Sequence, residues 1–92
     1  AEALRTVARF LEQQNTTVGV VVSNARLDKT GCLLVAQGAH DGLARAISPP
    51  HTSGDGDAFI AAATGAVEAP TDLVRLLAVA AVERAIRTPP AP

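Results

Sequence analysis

Residues Thr17-Val18-Gly19-Val20-Val21-Val22 form a β-branched run interrupted by a single glycine. Val and Thr are stiff at χ1 and suit a pleated surface better than a helix, so the run predicts a strand. It does not alternate apolar with polar residues, as a strand with one wet face would, and it is therefore expected to be buried on both faces. That requirement limits the possible folds. A chain of 92 residues offers one small core, and covering both faces of such a strand takes neighbours that this stretch does not contain. The missing layers are expected from an upstream segment of the same gene product or from a partner chain.

The rest of the chain reads as an alternation of elements around that strand. Residues 3–14 set Leu4, Val7, Ala8 and Leu11 on one face and Arg5, Arg9, Glu12 and Gln13 opposite, the pattern of an amphipathic helix ending at Asn15. Asp28 is a candidate N-cap for a second helix through Ile47, with a stripe of Leu33, Ala36, His40, Leu43 and Ile47. Residues 48–57 are dense in Pro, Gly, Ser and Asp and predict a loop. Ala58 to Ala66 reads as a second apolar strand, with helix as the alternative for so many alanines. Thr71 is the expected cap of a last helix that buries Val74, Leu77, Ala78, Ala81, Val82 and Ala85, before Pro89, Pro90 and Pro92 end it. The expected order is helix–strand–helix–strand–helix, an α/β arrangement.

Composition narrows the function. Eight basic and nine acidic residues give a formal net charge of −1, without the positive footprint of a nucleic-acid binder. The apolar stretches fall well short of the roughly 20 residues needed to span a bilayer. One cysteine, Cys32, cannot form an internal disulfide, so a reducing, cytoplasmic setting is the simpler expectation. The chain has no Met and opens on a segment that already reads as an element, which leads to the expectation that it is a piece of a longer product.

Two motifs carry chemistry. The first is Asn15-Thr16-Thr17, at the junction where the strand begins. A threonine hydroxyl is a weak nucleophile until a base removes its proton, and the residue's own α-amine serves as that base when the residue begins its chain. An α-amine titrates near about pH 8, so part of it is neutral under physiological conditions. Such a catalyst must be made as a precursor and cut just before the nucleophile, here between Asn15 and Thr16. The plain alternative is a turn leading into a strand. The second motif is Asp55-Gly56-Asp57, two carboxylates at the end of the loop and just before a strand. The pair is suited to orienting a hydroxyl and an amine, to chelating a divalent cation, or to closing a solvated turn. His51 and Ser53 are neighbours of this pair in the loop. His40 reads as a hydrogen-bonded core residue of its helix, and Cys32 as a small buried filler. No Walker loop, zinc spacing or Gly-x-Ser-x-Gly elbow is present.

Taken in order, these segments resemble the L-aminopeptidase/D-esterase, or DmpA-like, family of self-processing N-terminal-nucleophile hydrolases, nearest its nylon-oligomer-hydrolase branch. The residues that carry the resemblance are Asn15-Thr16-Thr17-Val18-Gly19-Val20-Val21 and Ala39-His40-Asp41-Gly42-Leu43-Ala44-Arg45-Ala46-Ile47. It continues through Pro49-Pro50-His51-Thr52, Asp55-Gly56-Asp57 and Ala63-Thr64-Gly65-Ala66. Two departures are Ser48, where the family commonly has a basic residue, and Gly54, where a larger residue is usual.

The resemblance implies a precursor cut before Thr16. Residues 1–15 would be the tail of its α part, and 16–92 the β part bearing the nucleophile. It implies Thr16 as nucleophile and Asp55 with Asp57 as the orienting pair, Ser53 with Asp55 being a rival register. Thr17, His51 and Ser53 are site neighbours. A four-layer α-β-β-α sandwich, homo-oligomers of α/β protomers, a small peptide or amide substrate and no metal or organic cofactor are further implied. The alternative function is a non-catalytic α/β interaction module that keeps the scaffold without processing.

Overall fold

The computed structural model describes residues 3–13, 16–47 and 57–88. Three strands and two helices follow one another as β1 (Thr6–Gln13), β2 (Thr16–Ala25), α1 (Lys29–Ala46), β3 (Ala58–Val67) and α2 (Thr71–Arg87). The strands form one sheet in the order β1-β2-β3. β1 and β2 are antiparallel, with Thr6 facing Ser23 at one end and Gln13 facing Thr16 at the other. β2 and β3 are parallel, with Val18 facing Ala58, and α1 is the crossover between them.

The first element is thus a strand and corrects the helix expected over residues 3–14. Leu4, Thr6, Ala8 and Phe10 are half-buried, while Arg5, Val7, Arg9 and Leu11 are exposed, a period of two. Leu, Ala, Arg, Glu and Gln favour helix only weakly, and the ladder to β2 overrides that preference. Polar clamps fix its start. The Arg5 N–H donates to Asn24 Oδ1 at 2.7 Å, Asn24 Nδ2 donates to the Ala3 carbonyl at 2.6 Å, and Thr6 Oγ1 donates to Ser23 Oγ at 3.2 Å.

The remaining elements follow the sequence more closely. Asp28 caps α1, its Oδ1 accepting the Gly31 N–H at 2.7 Å. α2 begins at Thr71, but its cap position is Pro70, which makes no side-chain bond, so Thr71 is the first helical residue and not the cap. β3 covers the expected strand and runs to Val67. Between Ser23 and Ala25 the pairing with β3 slips, and there Gly65 takes a φ of 85°, a left-handed conformation costly for other residues.

Both helices lie on one face of the sheet, α2 beside β1 and α1 beside β3. The core is Val21 and Ala25 from β2, Val35 and Ala39 from α1, and Val74, Ala78 and Val82 from α2. The face α1 turns inward is rotated from the expected stripe: Gly31, Val35, Gly38, Ala39, Gly42 and Leu43 are buried, whereas Leu33 is 57% exposed. The cause is the helix crossing. A Cβ on Gly42 would meet the Val79 carbonyl oxygen at 2.6 Å and Val82 Cβ at 2.8 Å, and one on Gly38 would meet Arg75 Cγ at 2.8 Å. Only glycine permits so close an approach.

The opposite face of the sheet has no cover among the described residues. Val7, Leu11, Val18, Val20, Val22 and Ile60 all lie there exposed, Leu11 and Ile60 to 67%. In register they form rows, Val7 beside Val22 and Leu11 beside Val18 in β1–β2, and Val20 beside Ile60 in β2–β3. The doubly apolar strand thus has one face packed and one bare. No described helix is long and apolar enough to cross a membrane.

The crossing yields a test with a definite sign. In an ordinary helix interior Gly→Ala adds up to about 1 kcal/mol of stability. Gly42→Ala is expected to lose about 1–3 kcal/mol instead, through overpacking against Val79 and Val82. Urea unfolding of the variant beside the parent protein measures it.

Candidate active site

The parallel pairing of β2 and β3 decides where the two sequence motifs go. Parallel strands start at the same edge of a sheet, so Thr16 and Thr17 at the head of β2 lie beside Asp57 at the head of β3. The contact is direct: the Thr17 backbone N–H donates to Asp57 Oδ1 at 3.0 Å, across forty positions of sequence. Thr17 is buried, 4% exposed, and Asp57 is half-buried. A backbone N–H held by a carboxylate in such surroundings makes one of the stronger kinds of hydrogen bond.

The hairpin does the rest. Because Gln13 faces Thr16, only positions 14 and 15 link β1 to β2, and the bond between residues 15 and 16 falls where the hairpin joins the ladder. The candidate nucleophile is the first residue of β2, one peptide unit from the nitrogen that Asp57 holds. Asn15, His51, Ser53 and Asp55 lie outside the described residues, and for Thr16 only the backbone is described. The structure therefore brings together Thr16, Thr17 and Asp57 of the residues singled out from sequence.

One residue absent from that reading, Phe59, frames the same edge together with Gly19 and His40. Phe59 follows Asp57 by two positions on β3 and faces Gly19 on β2. Its ring stands edge-on to the imidazole of His40 on α1, with centroids 5.0 Å apart and planes at 80°. A signal was present: the chain has only two phenylalanines, and a glycine interrupts the β-branched run. His40 is half-buried with its ring on Phe59, and Cys32, a free thiol, is half-buried near the start of α1.

Two clefts lie away from this edge. One of about 480 Å³ is lined by Val7, Phe10, Leu11 and Ala85 along the β1 edge, and another lies over the helices between Asp41, Arg45, Asp72 and Arg75. Neither includes Thr16, Thr17 or Asp57. The described residues contain no group of three or more His, Cys, Asp or Glu side chains placed to hold a metal ion.

The α/β layer thus sets a hydroxyl residue and a carboxylate together at one sheet edge. The chain matches the model of peptidase family S58 over residues 2–88 and belongs to that family, the one its motifs resemble. It is 56% identical over 59 residues to an uncharacterized aminopeptidase of Mycobacterium leprae, covering 64% of this chain and 16% of that protein. It is 52% identical over 58 residues to an uncharacterized aminopeptidase of Mycobacterium tuberculosis, covering 63% and 17%. Over 60 residues it is 35% identical to the 6-aminohexanoate-oligomer endohydrolase of an Agromyces species, covering 65% and 17%. The matched segment is thus a small part of each relative, 16–17% of its length.

The Thr17–Asp57 bond has its own signature. Asp57→Ala leaves the buried Thr17 N–H without this acceptor and is expected to cost about 1–3 kcal/mol. Asp57→Asn keeps an oxygen at the same position and is expected to cost less than about 1 kcal/mol. Denaturant unfolding of the two variants in the full-length protein separates them.

Proposed function

We propose that this chain carries the nucleophile of a self-processing amide hydrolase. The observation that supports it most is the 3.0 Å bond from the Thr17 N–H to Asp57, which joins the two motifs that chemistry singled out independently. In processing, Thr16 Oγ attacks the Asn15 carbonyl carbon. The C–N bond to Thr16 breaks as the nitrogen takes up a proton, and the acyl group passes to oxygen. Water then cleaves the ester, leaving a carboxylate on Asn15 and a free α-amine on Thr16.

In turnover that amine takes the hydroxyl proton while Oγ attacks a substrate amide. The leaving amine departs with the proton, and water releases the acyl group from Thr16. Asp57, with Asp55, orients the amine and hydroxyl. The Thr17–Asp57 bond favours this pair over Ser53 with Asp55, because it ties Asp57 to the residue next to Thr16. Donors for the oxyanion come from outside this stretch. The names of the relatives, aminopeptidase and oligomer endohydrolase, agree with an amide of a peptide or of a short linear amino acid as substrate.

On the same reading, residues 1–15 end the α part of a precursor, and 16–92 form the β part. The bare sheet face supports a second layer from the remainder of the α part, as a four-layer sandwich requires. Fully burying an aliphatic side chain gains about 1.5–3 kcal/mol over leaving it exposed, and six large ones lie bare on that face. Assembly of such protomers into a homo-oligomer belongs to the proposal.

Intact-mass analysis of the full gene product is the test. A chain beginning at Thr16 is expected from the parent protein and from Thr16→Ser, and none from Thr16→Ala. Asp57→Asn is expected to lower amide turnover about 10²-fold or more. Normal turnover by Thr16→Ala refutes the mechanism.

A further inference from the structure

Gly19 is the one break in the valine run of β2, and its missing side chain has a use. A Cβ built on it would stand 2.3 Å from Phe59 Cε1 and 2.6 Å from Phe59 Cδ1, so the ring of Phe59 lies directly over the glycine. The ring cannot slide freely aside, because the imidazole of His40 meets it at 5.0 Å. Behind the glycine, the Arg9 carbonyl oxygen is 3.0 Å from the same point, so β1 closes off the other direction. Phe59 is thus seated between β2 and α1, packed against the core.

The geometry connects this seat to the candidate site. Gly19 and Phe59 face each other in the ladder, and Thr17 and Asp57 are each two residues earlier on the same strands. Residues two apart share a face and lie about 7 Å apart along a strand. The aromatic seat is therefore the row next to the Thr17–Asp57 bond, on the same face of the sheet. Three small displacements would loosen that bond: a wider β2–β3 spacing, a tilt of the first residues of β3, or a slip in register. A ring clamped between a glycine and a histidine resists each of them.

We propose that Phe59, seated on Gly19 and braced by His40, is a positioning residue that holds Asp57 against the Thr17 backbone and so sets the carboxylate beside Thr16. The claim rests on the hydrolase reading for its consequence and on the ladder for its geometry. Its value lies in precision, because a misplacement of about 1 Å at a catalytic group can cost about 10²-fold in rate.

A double-mutant cycle in the full-length precursor tests it, with two readouts: the rate at which the chain beginning at Thr16 appears, and hydrogen exchange at the Thr17 amide. Phe59→Leu, which keeps an apolar side chain, is expected to slow processing about 10²-fold and to speed exchange at Thr17, while the Val35 and Val79 amides keep their protection. Gly19→Ala is expected to do the same in the presence of Phe59. In the Phe59→Leu background the added methyl keeps only its 3.0 Å approach to the Arg9 carbonyl oxygen and should slow processing far less than it does in the parent, well short of an additive effect.

A Phe59→Leu protein that processes at the parent rate with unchanged Thr17 exchange overturns the proposal, as does an additive cycle. If Gly19→Ala fails to fold, Phe59→Leu alone decides by the same criterion. A parent protein that yields no chain beginning at Thr16 refutes the hydrolase reading instead, and Thr17 exchange in Phe59→Leu then still tests the positioning.

Discussion

The parallel pairing of β2 with β3 is the constraint on which the rest of the structure depends. An antiparallel return would have carried Asp57 to the far end of β2, some eight residues from Thr17. The parallel return needs a crossover, and α1 supplies it, capped at Asp28 and lying over β3. The helix has to pack closely against α2 for that crossover to fit, which is what Gly38 and Gly42 allow. A single hydrogen bond at the sheet edge is thus the outcome of a helix crossing on the other side of the core.

The sheet is finished on one side only. Its inner face meets two helices through valine and alanine, small residues that let the layers come close. Its outer face presents valine, leucine and isoleucine in aligned rows, with Arg9 among them. The same strand β2 serves both faces, and this explains why its sequence does not alternate. A strand destined for water on one side would carry Thr, Ser or Lys at 18, 20 and 22 in place of three valines.

Much of this was legible before any coordinates. The valine run, the Asp28 cap, the Pro/Gly-rich stretch and the apolar segment before Thr71 each rest on local chemistry, and the two strands and the capped helix appear where that chemistry predicts. The first segment failed because Leu4, Val7, Ala8 and Leu11 satisfy a helical period by coincidence, and only the partner strand reveals the alternation of Arg5, Val7, Arg9 and Leu11 outward. The stripe of α1 was misjudged for another reason. Counting large apolar residues picks Leu33, but a tight crossing is marked by residues that are small, and glycine registers as neutral in such a count. Of the candidate site, residue types alone named Thr16 and Asp57, while their placement at one sheet edge follows from strand direction. Phe59 was invisible as a functional residue because its importance lies in what Gly19 lacks.

The hairpin between β1 and β2 has a consequence for inheritance of shape. Eight facing residue pairs tie the two strands side by side, independent of the two positions that link them. Were that link severed, β1 would become a strand lent by one polypeptide to the sheet of another. The freshly exposed terminus would not need to search for its place, since its neighbour across the ladder already fixes it. Maturation of this kind changes the covalent topology of the molecule and leaves its architecture as it was.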